Sequence, residues 1–157
     1  MIQRIQSLYM LIATILMALV VFLPLGSFLG NTEEVKLTAF GFINTATQEN
    51  ILIPYGLTIT AIASTLLSFV NIFLFKKRML QFRLCIVEMI MTAGTILFEI
   101  YYFWGAIRAI NSFISNASAW TVSLTAILPL IALIFTYLAL RGVKKDILLI
   151  KSLDRIR

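Results

Sequence analysis

The sequence predicts an all-α membrane protein, a bundle of four transmembrane helices with both termini in the cytoplasm, and three observations carry that expectation. Of 157 residues, 61% are hydrophobic and only 13% charged, far more apolar than a soluble globular domain. Four apolar runs, at about 7–25, 51–75, 84–104 and 120–140, are each long enough to cross a hydrocarbon core of about 30 Å at about 1.5 Å per helical residue. Eleven of the thirteen basic residues lie in the head before the first run, the turn between the second and third, and the tail at 141–157, and the positive-inside rule assigns these three to the cytoplasm. The spans and their connections use nearly every residue, so 1–157 reads as one membrane domain.

The first run follows the short head Met1-Ile2-Gln3-Arg4-Ile5-Gln6. A signal peptide shares that pattern, but the run is long for one and no small-x-small cleavage site follows Pro24-Leu25-Gly26, so it reads as a retained first span. The outer connection from Gly26 to Asn50 alternates Val35, Leu37, Ala39, Gly41 and Ile43 against Lys36, Thr38, Phe40 and Phe42, the period of a short strand or half of a hairpin. Phe40 and Phe42 on one side are either a packed cap over the helix ends or an exposed partner contact.

The second run has no charge and carries Thr60, Ser64, Ser68 and Asn71 at helical spacing, residues that allow close helix approach and bond across an interface. Lys76, Lys77 and Arg78 end it and Arg83 precedes the third run, giving a helical hairpin closed by a basic turn. In the third run Glu88, Thr92, Thr95 and Glu99 follow at steps of four, three and four, one stripe of a helix. A carboxyl at mid-bilayer costs about 2.5–3.5 kcal/mol unless it meets a partner, so the other helices are expected to cover this stripe, with Ser64, Ser68 and Asn71 opposite it. Tyr101, Tyr102 and Trp104 form an aromatic end suited to headgroup level. Arg108 to Ala119 reads as a polar loop whose Asn116-Ala117-Ser118 fits the short glycosylation pattern. In the fourth run Pro129 is expected to leave the Thr125 carbonyl without its helical donor and kink the helix. The tail alternates Lys144, Lys145, Lys151, Arg155 and Arg157 with apolar residues, a basic amphipathic helix that continues the fourth span or lies on anionic headgroups.

The same residues exclude several chemistries. Cys85 is the sole cysteine and there is no histidine, which removes internal disulfides, redox pairs, imidazole metal sites and histidine-activated nucleophiles. Basic residues flank the apolar runs instead of forming a patch with aromatics, which argues against nucleic acid. No catalytic, cofactor-binding or metal-ligating set emerges, and no cofactor is expected.

The head Met1-Ile2-Gln3-Arg4-Ile5-Gln6-Ser7-Leu8-Tyr9, together with Arg141-Gly142-Val143-Lys144-Lys145-Asp146 and Lys151-Ser152-Leu153-Asp154-Arg155-Ile156-Arg157, resembles a family of small four-span inner-membrane proteins of Bacteroidota catalogued only as a domain of unknown function. The resemblance covers the whole chain and implies a bacterial cytoplasmic membrane and four spans, with no activity to carry over. Within the tail, Asp154 lies close in sequence to Lys151 and Arg155, so part of that basic cluster is internally paired.

Two functions are expected from these features. The first is a non-enzymatic accessory or assembly subunit of a larger membrane complex, whose partners are anionic lipid and other membrane subunits or further copies of the chain. Lys76, Lys77, Arg78, Arg83, Lys144, Lys145, Lys151, Asp154, Arg155 and Arg157 would then contact headgroups or a cytoplasmic partner. The second is a small transporter or proton pathway through Glu88 and Glu99, which lie roughly 16 Å apart along a helix axis and would need Thr92, Thr95 and water between them. An intramembrane enzyme has least support, since a proton-sharing carboxyl pair must be in contact.

Overall fold

A computed structural model describes residues 2–29, 34–74, 77–113 and 119–154. Four helices, α1 (Ile2–Phe22), α2 (Tyr55–Phe73), α3 (Arg78–Phe113) and α4 (Leu128–Asp154), are long and apolar enough to cross a membrane. Each packs on its neighbour in sequence, and α1 closes the ring on α4. The chain is not all-α, however. Strands β1 (Gly26–Leu29), β2 (Glu34–Thr38), β3 (Gly41–Asn44), β4 (Asn50–Leu52) and β5 (Ala119–Val122) form one antiparallel sheet in the order β4-β3-β2-β1-β5. The outer connection is therefore four strands, and the second outer connection supplies the fifth.

The alternation across Val35 to Ile43 is real but broken in the middle. Thr38 caps a tight turn, its hydroxyl donating to the Gly41 carbonyl at 2.9 Å and accepting the Gly41 N–H at 3.1 Å. The chain reverses there, so Leu37 faces Phe42 across the ladder and the buried parity changes. Phe42 is buried and Phe40, at the turn, is exposed, which withdraws Phe42 from any exposed partner contact. Phe28, Val35, Leu37 and Phe42 form the sheet's inner face and pack with Val20, Leu57 and Ala106 over one end of the bundle. Thr58 of α2 fastens the turn by donating to the Ala39 carbonyl at 2.6 Å.

The helix ends also differ from the sequence reading. Residues 120–122 belong to β5, a 3-10 turn follows at Leu124–Ile127, and α4 begins only at Leu128. Pro129 thus occupies the first turn of α4, where a missing N–H costs nothing, and the expected kink does not arise. The Thr125 carbonyl accepts the Leu128 N–H instead. α3 continues past Trp104 and Arg108 to Phe113, so the polar loop begins later than expected, and the glycosylation pattern at 116–118 lies outside the described residues. The tail continues α4 without a break, with Val143 and Asp146 buried against the bundle and Lys144 and Lys145 exposed.

Candidate functional site

Inside the bundle, the polar stripe of α3 meets polar residues from all three other helices. Glu88 is 1% exposed. Asn71 of α2 donates to its Oε2 at 3.2 Å, and the Thr136 hydroxyl of α4 lies 3.0 Å from both its Oε1 and the Ala132 carbonyl, sharing one proton between them, so each carboxyl oxygen faces a donor group from a different helix. The Asn71 amide also donates to the Sγ of buried Cys85 at 3.0 Å. One turn along, the Thr92 hydroxyl donates to the Glu88 carbonyl at 2.8 Å. Its single proton is thereby committed, so in the 2.8 Å contact with Ser64 the serine is the donor. Ser68 also meets α1: its hydroxyl lies 2.8 Å from that of Thr14, which bonds the Met10 carbonyl at 2.8 Å. Ser64 and Asn71 thus bond to residues of the α3 stripe, and Ser68 bonds to α1.

The upper part of the stripe is different. Thr95 is fully buried, but its hydroxyl donates to the Met91 carbonyl of its own helix at 3.0 Å. Glu99 is 7% exposed and its Oε1, buried from solvent, has no hydrogen-bond partner. It lines a groove of about 310 Å³ between α3, the 3-10 turn and α4, whose other walls include Ile96, Phe103, Trp104, Val122 and Leu130. The two carboxyls therefore occupy unlike environments, and Glu99 Oε1 receives no hydrogen bond from Thr95.

At the end of the bundle remote from the sheet, Arg78 and Asp146 pair at 3.3 Å between the start of α3 and the latter part of α4. Arg78 is thus a clasp between helices. Gln81 is also buried there, with its amide 3.4 Å from Met10 Sδ and 3.5 Å from the Asn71 carbonyl. Lys77, Arg83, Lys144 and Lys145 are exposed. Lys76, Arg155 and Arg157 lie outside the described residues, as do the side chains of Lys151 and Asp154. Sequence reasoning passed over Thr136, Asp146 and Gln81. Thr136 had a faint signal, as a threonine in the apolar latter half of the fourth run, and Asp146 was hidden among the tail's basic residues.

Among the described residues no group of three or more His, Cys, Asp or Glu side chains converges to hold a metal ion. The Glu88 cluster joins helices through donors matched to acceptors, although Asn71 Oδ1 within it has no partner, while Glu99 Oε1 lies unmatched beside an apolar wall. A family model described as a domain of unknown function, DUF4293, matches residues 2–156. The chain belongs to this family. The match takes in all four helices and the whole sheet, so the DUF4293 domain is the complete bundle with its cap. No curated protein matches the chain.

Proposed function

We propose that this DUF4293 chain is a non-enzymatic integral protein of a bacterial inner membrane, acting as an accessory or assembly subunit that docks onto other membrane proteins through its sheet. The observation that supports the reading is the pair of open sheet edges. Every residue of β4 and of β5 is exposed, and Ile51, Leu52, Trp120 and Val122 are among them. Unpaired apolar edge strands invite a further strand. With both termini and the α2–α3 turn in the cytoplasm, as the basic residues favour, the sheet faces the opposite compartment.

The transport alternative has weaker support, because the donors around Glu88 are matched within the bundle and the stripe is interrupted between Thr95 and Glu99. Extraction from the native membrane in mild detergent tests the docking reading. The expected result is a stoichiometric particle with other membrane proteins, lost in an Ile51→Lys/Leu52→Lys variant that remains folded. Recovery of the wild-type chain as a lone monomer would refute it, and a proton-dependent flux in proteoliposomes abolished by Glu88→Gln would favour the alternative.

A further inference from the structure

Among the described residues, three buried polar atoms have no hydrogen-bond partner, Gln6 Nε2, Asn71 Oδ1 and Glu99 Oε1, and of these residues Glu99 lines a groove. A buried oxygen with no partner costs about 1–3 kcal/mol, and Glu99 Oε1 is in that position although threonine hydroxyls satisfy their bonds elsewhere in the same helix. It borders a groove of about 310 Å³ whose remaining walls are apolar or aromatic. Such a surface, mostly apolar with one fixed polar group, is the usual form of a small-molecule site.

The geometry points to a site for a membrane-dissolved molecule that carries a phenolic hydroxyl on a ring and an apolar tail, the hydroquinone class, with its O–H donating to Glu99 Oε1. Three features choose this ligand. The unmatched atom is a carboxyl oxygen that accepts when ionised, and a ligand hydroxyl supplies the donor for it. Glu99 lies five residues below Trp104 on α3, about 7 Å along the axis, whereas Trp104 has the exposure and character of an interfacial ring. A phospholipid ammonium stays at headgroup level, so the donor has to belong to a molecule whose polar head enters the hydrocarbon layer. Phe103 and Trp104 supply aromatic surface on which a ring packs by edge or offset contact, and the groove extends from Trp104 to Ile96, about 12 Å along α3, long enough for a ring and the first part of its tail.

The chain carries its own reporters. It has two tryptophans: Trp104 lines the groove and Trp120 stacks edge-on against Phe103 at 5.8 Å. The protein in lipid nanodiscs is titrated with a decyl-substituted hydroquinone held reduced, and in parallel with its dimethyl ether and with the oxidised quinone, while tryptophan emission is followed. Saturable quenching by the hydroquinone is expected, with affinity about tenfold lower for the ether, for the quinone and for Glu99→Leu. Glu99→Gln, which keeps an acceptor oxygen, should retain binding within about threefold. Protection of Cys85 from a maleimide verifies that each variant is folded. Quenching that never saturates, equal affinity for the ether, or undiminished binding by Glu99→Leu would overturn the assignment. So would displacement of the hydroquinone when phosphatidylethanolamine replaces phosphatidylcholine in the nanodisc, since the donor would then be a headgroup.

Discussion

Replacing Thr136 by valine removes one proton donor from Glu88 while leaving the shape of the side chain nearly unchanged. The hydroxyl lies 3.0 Å from Oε1 of a carboxyl that is 1% exposed, so water does not take its place. Leaving a buried acceptor unmatched costs about 1–3 kcal/mol in general, and bonds between membrane helices fall lower, averaging about 0.6 and reaching about 1.7 kcal/mol. A carboxyl with few alternative donors belongs near the upper end of the membrane range, so the expected loss is about 1–2 kcal/mol, a five- to thirtyfold rise in the open population. Cys85 measures that population directly. It is the sole cysteine, fully buried and held by Asn71, so in bicelles a maleimide reaches it only when the bundle opens. Thr95→Val is the control: Thr95 is equally buried but bonds only within its own helix, and losing a bond to the preceding turn is close to neutral. The labelling rate should rise for Thr136→Val and stay within about twofold for Thr95→Val, with the SDS midpoint of unfolding moving in step. Equal behaviour of the two variants would refute the view that Glu88 binds α3 to α4.

Asp146→Asn should destabilise the bundle by about 1–3 kcal/mol, below the cost of breaking a fully buried pair because Arg78 retains some water; the same SDS titration reads it. Gly56→Ala places a Cβ 2.7–2.9 Å from the Phe98 ring and should cost about 1–3 kcal/mol, whereas Gly105→Ala meets nothing within 4 Å and should gain up to about 1 kcal/mol from helix propensity. Gly26→Ala would set its Cβ 2.9 Å from the Thr121 carbonyl and 2.7 Å from Phe103, so β1 should part from β5, seen as faster amide exchange at Ser27 and Thr121. For orientation, Thr47→Cys should react with an impermeant maleimide in intact cells and Ser152→Cys should not; both positions are exposed, and the reverse pattern would invert the assigned sidedness.

The bundle was readable because long apolar runs and a stripe at steps of four, three and four leave few alternatives to helices with Glu88 turned inward. The sheet was not. Ala119 to Val122 is apolar and adjoins a long apolar segment, so periodicity assigns it to the helix, and only its ladder to Gly26–Leu29 makes it a strand. The parity change at Ala39 and Phe40 hid the β2–β3 hairpin for a similar reason, since the turn lacks the glycine or asparagine pair that usually marks one. Pro129 illustrates the dependence of one inference on another: moving the start of α4 from about residue 120 to Leu128 converts a kink into an ordinary first-turn proline. The stripe was located correctly, but adjacency in sequence could not reveal that Thr136 serves Glu88 while Glu99 faces a groove. That distinction depends on which turn of α4 each carboxyl meets.

The ladder between β1 and β5 also sets an order of events during synthesis. The Ser27 and Thr121 hydroxyls meet at 2.8 Å across 94 residues of chain, and between them lie both α2 and α3. β1 is made early and has β2 within a few residues, yet its other side stays open until α2, α3 and then β5 have been made. Long-range strand pairing is slow and leaves unpaired edges exposed meanwhile. A ribosome stalled before Ala119 would therefore present β1 as a bare edge, and the disappearance of that edge marks a chain whose third helix is in place, before α4 has been made.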